Sequence, residues 1–459
     1  MTLASKPAQS LNFALFYFAY YGYVGVFSPY ASLYFADKGI SAAQIGVLMS
    51  LMQVMRIFGP NLWGWVADHT RRRVSVLRFT SMAAVLAFCG MFWGHSFAYF
   101  FALMVTVNLF TSAQGPISEA LMLSSMRGDL THYGRLRLWG SVGFIVTVVL
   151  SGQLLDWQGI GLMPWIALLL LIMVSGVALN MREDSTVHHA HETPSVRLLL
   201  RDRAVLSFFA STFLMVAARS SLYVYYSLYL SDIGYSKTVI GLMWSLGVVA
   251  EIVFFFYQAP LFRRFGVRPL MLFSLAVAVL RFLLIGFGAE SLVVLLLAQV
   301  LHAATFGAHH SASVATLQRW FSGPLQARGQ ALFISISYGL GGTLGGLLLS
   351  VCWDIFGARL VYLIAALLSL LGLIALLLFL ISQRLDWILA EMKKSNGWLE
   401  RLRDGQETVR NNQREAIGLL EDIRRGQDTA HEDLKNIGSI LFDEHVENLQ
   451  RGDRQPPIP

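Results

Sequence analysis

The chain has 459 residues, of which 55% are hydrophobic and only 14% are charged, and its formal net charge is +7. This apolar content excludes an ordinary water-soluble globular protein and indicates a chain with many membrane spans. The two cysteines, Cys89 and Cys352, both lie in apolar stretches. A disulfide framework or a cysteine metal site is therefore not expected.

Twelve apolar stretches follow one another along the chain, and each is long enough to cross a bilayer as a helix. Their approximate limits are 11–36, 42–66, 75–94, 97–125, 136–157, 161–180, 204–230, 238–258, 269–288, 291–318, 329–353 and 357–382. The first stretch is too long and too aromatic for a signal-peptide core, so it predicts an uncleaved span. The sequence thus predicts an all-α membrane protein with twelve transmembrane helices.

Alternate loops between these stretches differ sharply in basic residues. One set contains Arg71, Arg72, Arg73, Arg78, Arg127, Arg135, Arg137, Arg182, Arg197, Arg201, Arg203, Arg263, Arg264, Arg268, Arg319 and Arg328. The other set contains Lys38, Lys237 and Arg359. The positive-inside rule predicts that the first set and both termini lie in the cytoplasm. This distribution explains the net charge, so nucleic acid is not an expected partner.

The segment Ile45–Arg73 recurs without a gap at Ile240–Arg268. Only a few positions are identical, but the ionisable residues inside the apolar runs coincide, Arg56 in the first copy and Glu251 in the second. Two related halves with opposite charges at matching depths favour a secondary transporter. The predicted units are an N-terminal half (1–180), a cytoplasmic central loop (181–203) and a C-terminal half (204–382).

The central loop contains the histidine cluster His188, His189 and His191. Such a cluster can bind a metal, but a solvated linker is the favoured interpretation because no ligand-type partner is near it in the sequence. The chain also lacks a Gly-x-x-x-x-Gly-Lys-Ser/Thr loop and the common metalloprotease and hydrolase motifs. We therefore expect a protein without enzymatic activity, resident metal or cofactor.

The loop after the second stretch, Gly64–Arg73, reads GWVADHTRRR. It resembles the signature loop of the major facilitator superfamily at Gly64, Asp68, Arg72 and Arg73. Arg71 stands where that family usually has glycine. The resemblance implies the major facilitator fold, with two six-helix halves, alternating access and these four residues in a gating loop.

Three further segments, Tyr133–Ser141, Trp244–Glu251 and Gln299–Phe306, resemble the 3-phenylpropionate permease family within that superfamily. This resemblance implies an aromatic carboxylate as substrate.

More distantly, the chain resembles the lactose permease type of sugar/proton symporter. Glu119 and Arg137 fall where that type places its sugar-binding acid and arginine, and Arg281 and His302 fall where it has proton-coupling residues. Thr305 replaces an acid of that type. The resemblance implies substrate binding by Glu119 and Arg137.

Charged residues inside apolar stretches call for a partner or a water-filled cavity, because a charge at mid-bilayer costs at least about 2.5 kcal/mol. Glu251, Arg281 and His302 are such residues, and we expect them to form a proton-coupling group, since histidine changes protonation near neutral pH. Static ion pairs between helices are the alternative. For Arg56, a functional and a structural role both stay open.

The short loop between the fourth and fifth stretches could bring Glu119 and Arg137 together beside a central cavity. An arginine fork suits a carboxylate or hydroxyls, while a loop-anchoring salt bridge is the alternative. Arg219 is a further candidate anion partner that no motif supports. Aromatic residues are dense in the first and seventh stretches, where packing is favoured over cavity lining.

The segment 383–459 is polar and carries heptads that begin at Leu385, with several glutamine and glycine interruptions. A cytoplasmic coiled coil that makes the protein a homo-oligomer and a lone amphipathic helix on the membrane are equally compatible with this pattern.

The sequence as a whole predicts proton-coupled uptake of a small organic solute, an aromatic carboxylate such as phenylpropionate. A sugar or nucleoside proton symporter is the first alternative. A non-transporting membrane sensor that signals through the tail is the second. The expected partners are the substrate, protons and the lipid bilayer.

Overall fold

The computed structural model describes residues 6–126, 130–182, 201–322, 325–403, 418–422 and 424. Most of these residues belong to helices joined by short turns. The α-helices are α1 (Lys6–Asp37), α2 (Ala42–Thr70), α3 (Arg73–Phe88), α4 (Phe97–Met126), α5 (Leu130–Gln158), α6 (Met163–Asn180), α7 (Arg203–Asp232), α8 (Lys237–Phe265), α9 (Val267–Gly288), α10 (Leu292–Val300), α11 (His309–Trp320), α12 (Gln326–Phe333) and α13 (Gly342–Arg403). The π-helical turns Ala303–Ala308 and Ile334–Gly341 join α10 to α11 and α12 to α13.

Ten helical segments of the described chain are long and apolar enough to cross a membrane. The 32-residue helix α1 is not among them, and the last segment, Arg328–Leu389, combines α12 with most of α13. Within α13, Gly357 interrupts the helical backbone with a φ of 74°, a conformation open to glycine because it lacks a Cβ. The chain is thus a multi-pass helical membrane protein. The count of twelve spans requires α1 to cross and Gly357 to divide two spans, and it stays a prediction.

The helices α2 and α8 begin at equivalent positions of the sequence repeat. Ser41 caps α2 by accepting a hydrogen bond from the Gln44 amide, and the Gln44 side chain accepts one from the Ser41 amide. Ser236 caps α8 by accepting a hydrogen bond from the Val239 amide. A serine at the N-cap satisfies amides that have no partner within the helix. The repeat therefore preserves the starting point of these two helices.

The two halves pack against each other through two equivalent helix pairs, α5 with α8 and α2 with α13. Within the halves, α1 packs on α5 and α6, while α7 packs on α13. Close approach at α2 and α8 depends on glycine, since a Cβ on Gly46 or Gly241 would lie under 3.0 Å from atoms of the opposite half. The buried hydrophobic core is continuous across this contact and contains residues of both halves.

Hydrogen bonds between the halves concentrate at one end of the helices, which we call the Asp156 end. The Asp156 carboxylate accepts hydrogen bonds from the backbone amides of Lys237 at 2.9 Å and Thr238 at 2.8 Å, and from the Thr238 hydroxyl at 2.6 Å. Further from this end, a cavity of about 410 Å³ between α8 and α11 is lined by residues that include Gln258, His310 and Gln318.

Several helices extend beyond the apolar stretches that predict them, for example α8, which ends at Phe265 rather than at 258. Helix α2 continues to Thr70 rather than ending at 66, and α13 continues to Arg403 without a break at 382. Hydropathy marks the edge of an apolar stretch, whereas backbone hydrogen bonding continues into polar sequence until a breaker or cap ends the helix. Residues 183–200, 404–417, 423 and 425–459 lie outside the described residues, and with them most of the central loop and the heptads. The interpretations of both segments stay predictions.

Candidate substrate and proton site

Glu119 and Arg137 lie on neighbouring helices, α4 and α5, but each has a tyrosine as its closest polar partner. The Tyr133 hydroxyl donates a hydrogen bond of 2.5 Å to the Glu119 carboxylate. Arg137 donates one of 2.6 Å to the Tyr21 hydroxyl and lies 4.2 Å from the centroid of that ring. Tyrosine stacking and hydrogen bonding hold the guanidinium in place without neutralising its charge. Both charged groups thus remain free of a direct ion pair with each other.

Glu251 and His302 approach each other across α8 and the segment between α10 and α11. His302 Nε2 lies 3.8 Å from Glu251 Oε2, and both side chains are largely buried. The other ring nitrogen of His302, Nδ1, has no hydrogen-bond partner among the described residues. A carboxyl group next to an imidazole in a low-dielectric interior can share or exchange one proton. This geometry suits a pair whose protonation changes.

Arg281 does not join this pair, although it lies in the same half. Its guanidinium donates hydrogen bonds to the Ala298 carbonyl at 2.8 Å, the Thr305 hydroxyl at 3.0 Å and the Gln299 amide oxygen at 3.3 Å. Gln299 in turn donates to the Tyr226 hydroxyl. The N–H groups of Arg281 are thus satisfied by neutral oxygen acceptors. This hydrogen-bond network connects α7, α9 and α10.

Arg219 occupies the centre of a second, more aromatic cluster. Its guanidinium carbon lies 4.6 Å from the ring centroid of Phe306 and 5.5 Å from that of Tyr338. Arg56, which belongs to the opposite half, lies 5.9 Å from the same Tyr338 ring. The Tyr338 hydroxyl makes a hydrogen bond of 3.1 Å with His310 Nδ1. Two arginines from opposite halves therefore flank one phenol ring.

The clusters of the two halves are close enough to interact electrostatically. Arg137 of the N-terminal half acts on Glu251 and on His310 of the C-terminal half. Arg219 acts on Glu251 and on His302. The repeat therefore brings ionisable groups of both halves into one central region.

A local ion pair connects the end of α2 to the start of α3. Asp68 Oδ1 lies 3.7 Å from Arg73 Nη2, while Arg72 is exposed and Gly64 has open space around it. Arg71 takes the left-handed conformation with a φ of 53°, which is unfavourable for a residue with a Cβ. This conformation explains why a glycine suits the position in related loops.

Sequence reasoning missed the roles of Tyr21, Tyr133, Phe306 and Tyr338 in this region. A signal exists for Tyr21 and Tyr338, since tyrosines within a span are unusual compared with the belt of tyrosines at the membrane surface. Aromatic density alone did not separate them from packing residues. Their partners lie in other helices, so pairwise geometry was required.

A helical membrane protein built from two related halves, with ionisable groups at the centre of their interface, has the architecture of a secondary transporter. The chain belongs to the MFS_1 like family, whose sequence model matches residues 10–364. It is 30% identical over 305 residues to a probable 3-phenylpropionic acid transporter of Escherichia coli K12, covering 66% of this chain and 80% of that protein. It is 28% identical to a maltose permease of Geobacillus stearothermophilus, covering 81% and 94%. These relatives are transporters.

The fold is also found in solved structures of low sequence identity. The crystal structure of the nucleoside transporter NupG has a TM-score of 0.71 at 18% identity and covers 80% of this chain and 98% of that one. A bacterial homologue of the human lysosomal transporter Spinster, in an inward-facing and unoccupied conformation, has a TM-score of 0.61 at 14% identity, with coverage of 82% and 96%. Both likenesses concern the fold alone.

Proposed function

We propose that this transporter takes up a small aromatic carboxylate, such as phenylpropionate, together with protons across the bacterial inner membrane. Two six-helix halves, 1–180 and 204–382, would alternate access to the central region across twelve spans. Both termini would lie in the cytoplasm, so the Asp156 end would face outwards.

The balance of charge in the central region is the observation that carries the substrate class. Arg56, Arg137 and Arg219 surround it, and Arg281 lies behind them, against only two carboxylates among the described residues there, Glu119 and Glu251. Arg219 and Arg281 are buried, Arg137 is half-buried and Arg56 is exposed. An excess of cations in the interior of a membrane is costly unless an anion accompanies it. A substrate carboxylate would supply that anion, and the surrounding tyrosine and phenylalanine rings would pack against its aromatic part.

Glu251 and His302 are the proposed site of proton coupling, with Arg281 as a positioning residue behind them. The 3.8 Å separation allows one proton to be held between the two side chains. Arg281 acts electrostatically on His302, so the network that fixes Arg281 also fixes the field at the pair. Glu119 and Arg137 are proposed to contact substrate from the N-terminal half.

Uptake into proteoliposomes with labelled 3-phenylpropionate tests this proposal. A pH difference of one unit supports at most about tenfold accumulation for each coupled proton. We expect accumulation that follows an imposed inward proton gradient and disappears on addition of a protonophore. Uptake that is indifferent to the protonophore would contradict proton coupling.

A nucleoside or a sugar is the second candidate substrate, because the relatives include a maltose permease and a putative nucleoside transporter of Escherichia coli. The same proteoliposomes offered labelled maltose, uridine and xanthosine decide between the substrates. A sensor that does not transport would leave every compound outside, and its response would depend on residues 385–459. Uptake of any of these compounds would exclude the sensor.

A further inference from the structure

Two buried arginines of the C-terminal half, Arg281 and Arg219, are satisfied to very different extents. Arg281 is 1% exposed and donates hydrogen bonds to three oxygens. Arg219 is 2% exposed, yet its Nη1 atom has no hydrogen-bond partner among the described residues. A buried guanidinium nitrogen is almost always paired in a native protein. An unused donor at this depth therefore indicates that something else binds there.

The surroundings of Arg219 show what kind of group would fit. The faces of Phe306 and Tyr338 lie near the guanidinium, and the phenols of Tyr223 and Tyr338 interact electrostatically with it. Aromatic faces attract the positive charge but provide no acceptor in the plane of the N–H groups. A carboxylate matches that plane with two parallel hydrogen bonds.

Further aromatic rings continue from Phe306 and Tyr338 into the neighbouring helices α11 and α12. Phe306 stacks with His310 at a centroid distance of 6.0 Å, and Phe333 meets the edge of Tyr338 at 5.4 Å. These rings surround the charged group on the side of α11 and α12. An apolar ring one or two carbons away from a carboxylate would be in contact with them.

We propose that Arg219 binds the carboxylate of the transported substrate, with Arg56 approaching it from the opposite half and Phe306 packing against the substrate. This inference rests on the proposed function and identifies the residue that selects for anions. Because Arg56 and Arg219 belong to different halves, a carboxylate between them would offset the repulsion of two like charges. Substrate binding would thus favour the closed arrangement of α2 against α7.

The test compares two ligands that share a ring and a chain but differ in charge, 3-phenylpropionate and 3-phenylpropionamide. Their affinities are measured with the purified full-length protein in nanodiscs. We expect the parent protein to bind the carboxylate at least about tenfold more tightly, the gain of one charge-assisted hydrogen bond. Arg219→Gln should lose that preference and retain affinity for the amide. Arg219→Lys keeps the charge but lacks the two parallel N–H groups of the guanidinium, and it should retain part of the preference for the carboxylate.

The matched control is Arg359→Gln, which removes an exposed arginine paired with Glu290 and should keep the full preference. A parent protein that binds both ligands equally overturns the inference without any variant. A preference for the carboxylate that survives in Arg219→Gln also overturns the inference but leaves the proposed function intact. If the glutamine variant does not fold, a full preference in Arg219→Lys has the same meaning. A parent protein that binds neither ligand overturns the proposed function and the inference with it.

Discussion

Tyr30 of α1 and Tyr225 of α7 make equivalent hydrogen bonds across the interface between the two halves. The Tyr30 hydroxyl shares its proton between the carbonyl of Lys237, the first residue of α8, at 3.1 Å and the carbonyl of Val148 in its own half at 2.8 Å. The Tyr225 hydroxyl donates to the carbonyl of Ala42, the first residue of α2, at 3.3 Å. Each tyrosine thus anchors the start of a helix in the other half. The internal repeat has kept this contact while the charges deeper in the same helices have diverged.

Replacing either tyrosine by phenylalanine should open the Asp156 end. Tyr30→Phe and Tyr225→Phe each remove an inter-half hydrogen bond worth about 0.5–1.5 kcal/mol, a shift of up to about tenfold between closed and open states. Spin labels at Asp37 and Asp232, in a background without the two native cysteines, would report the change by electron–electron distance measurement. The two shifts should add, and the shift for Tyr30→Phe should be the smaller one because the Tyr30 hydroxyl also donates to Val148 of its own half. Distances unchanged in the double variant would contradict an anchoring role.

Asp156 should matter more to this closure than Lys237, although the two also form an ion pair of 3.7 Å. The carboxylate satisfies two amides at the start of α8 and the Thr238 hydroxyl, and such capping contributes about 0.5–2 kcal/mol. An ion pair open to solvent adds about 0–1 kcal/mol. Asp156→Asn should therefore separate the spin-labelled ends further than Lys237→Gln. The reverse order would assign closure to the ion pair.

Gly241→Ala should prevent full closure at the Asp156 end. The added Cβ would meet the Val148 carbonyl at 2.7 Å, and backbone has little freedom to move away. Uptake should fall several-fold because one state of the alternating-access cycle becomes strained. Gly176→Ala is the control, since no atom lies within 4 Å of its Cβ position. Equal uptake by the two variants would show that closure tolerates the methyl group.

Glu251→Gln should separate transport from coupling. The amide preserves shape but cannot exchange a proton with His302, so accumulation driven by a pH gradient should fall to the level without a gradient. Exchange of internal for external substrate needs no net proton movement and should continue. Glu290→Gln changes an exposed glutamate paired with Arg359 and serves as the control. Proton-driven accumulation that persists in Glu251→Gln would remove this residue from the coupling site.

Arg71→Gly should stabilise the loop between α2 and α3. The left-handed conformation costs a residue with a Cβ roughly 1–2 kcal/mol, and the added flexibility of glycine offsets about 0.5–1 kcal/mol of the gain. The neighbouring Arg72 has a φ of −134°, so Arg72→Gly gains nothing and should lower stability. Thermal unfolding of the two variants in detergent would check that their changes in stability have opposite signs. A loss of stability in Arg71→Gly would show that its side chain contributes more than its backbone conformation costs.

Much of the fold could be predicted because each segment that crosses a bilayer must be apolar and about 20 residues long, which can be read directly along the sequence. Length and hydropathy select the spans, and the repeat of Ile45–Arg73 at Ile240–Arg268 indicates two halves. The family predicted from the loop at Gly64–Arg73 is confirmed by the match over residues 10–364. Helices α2 and α13 run beyond the apolar stretches that indicate them, because helical hydrogen bonding does not stop where hydropathy falls.

The sequence by itself determined which charged residues lie inside apolar helices, Arg56, Arg219, Glu251, Arg281 and His302, since each interrupts a stretch that only a helix can carry through lipid. Only the tertiary structure decided their partners. It placed His302 beside Glu251, and it showed that Arg281 donates hydrogen bonds to the Thr305 and Gln299 oxygens. It also left a donor of Arg219 unpaired among the described residues. Helix packing brings together residues from distant parts of the chain through the shapes of their side chains, and no local periodicity contains that information.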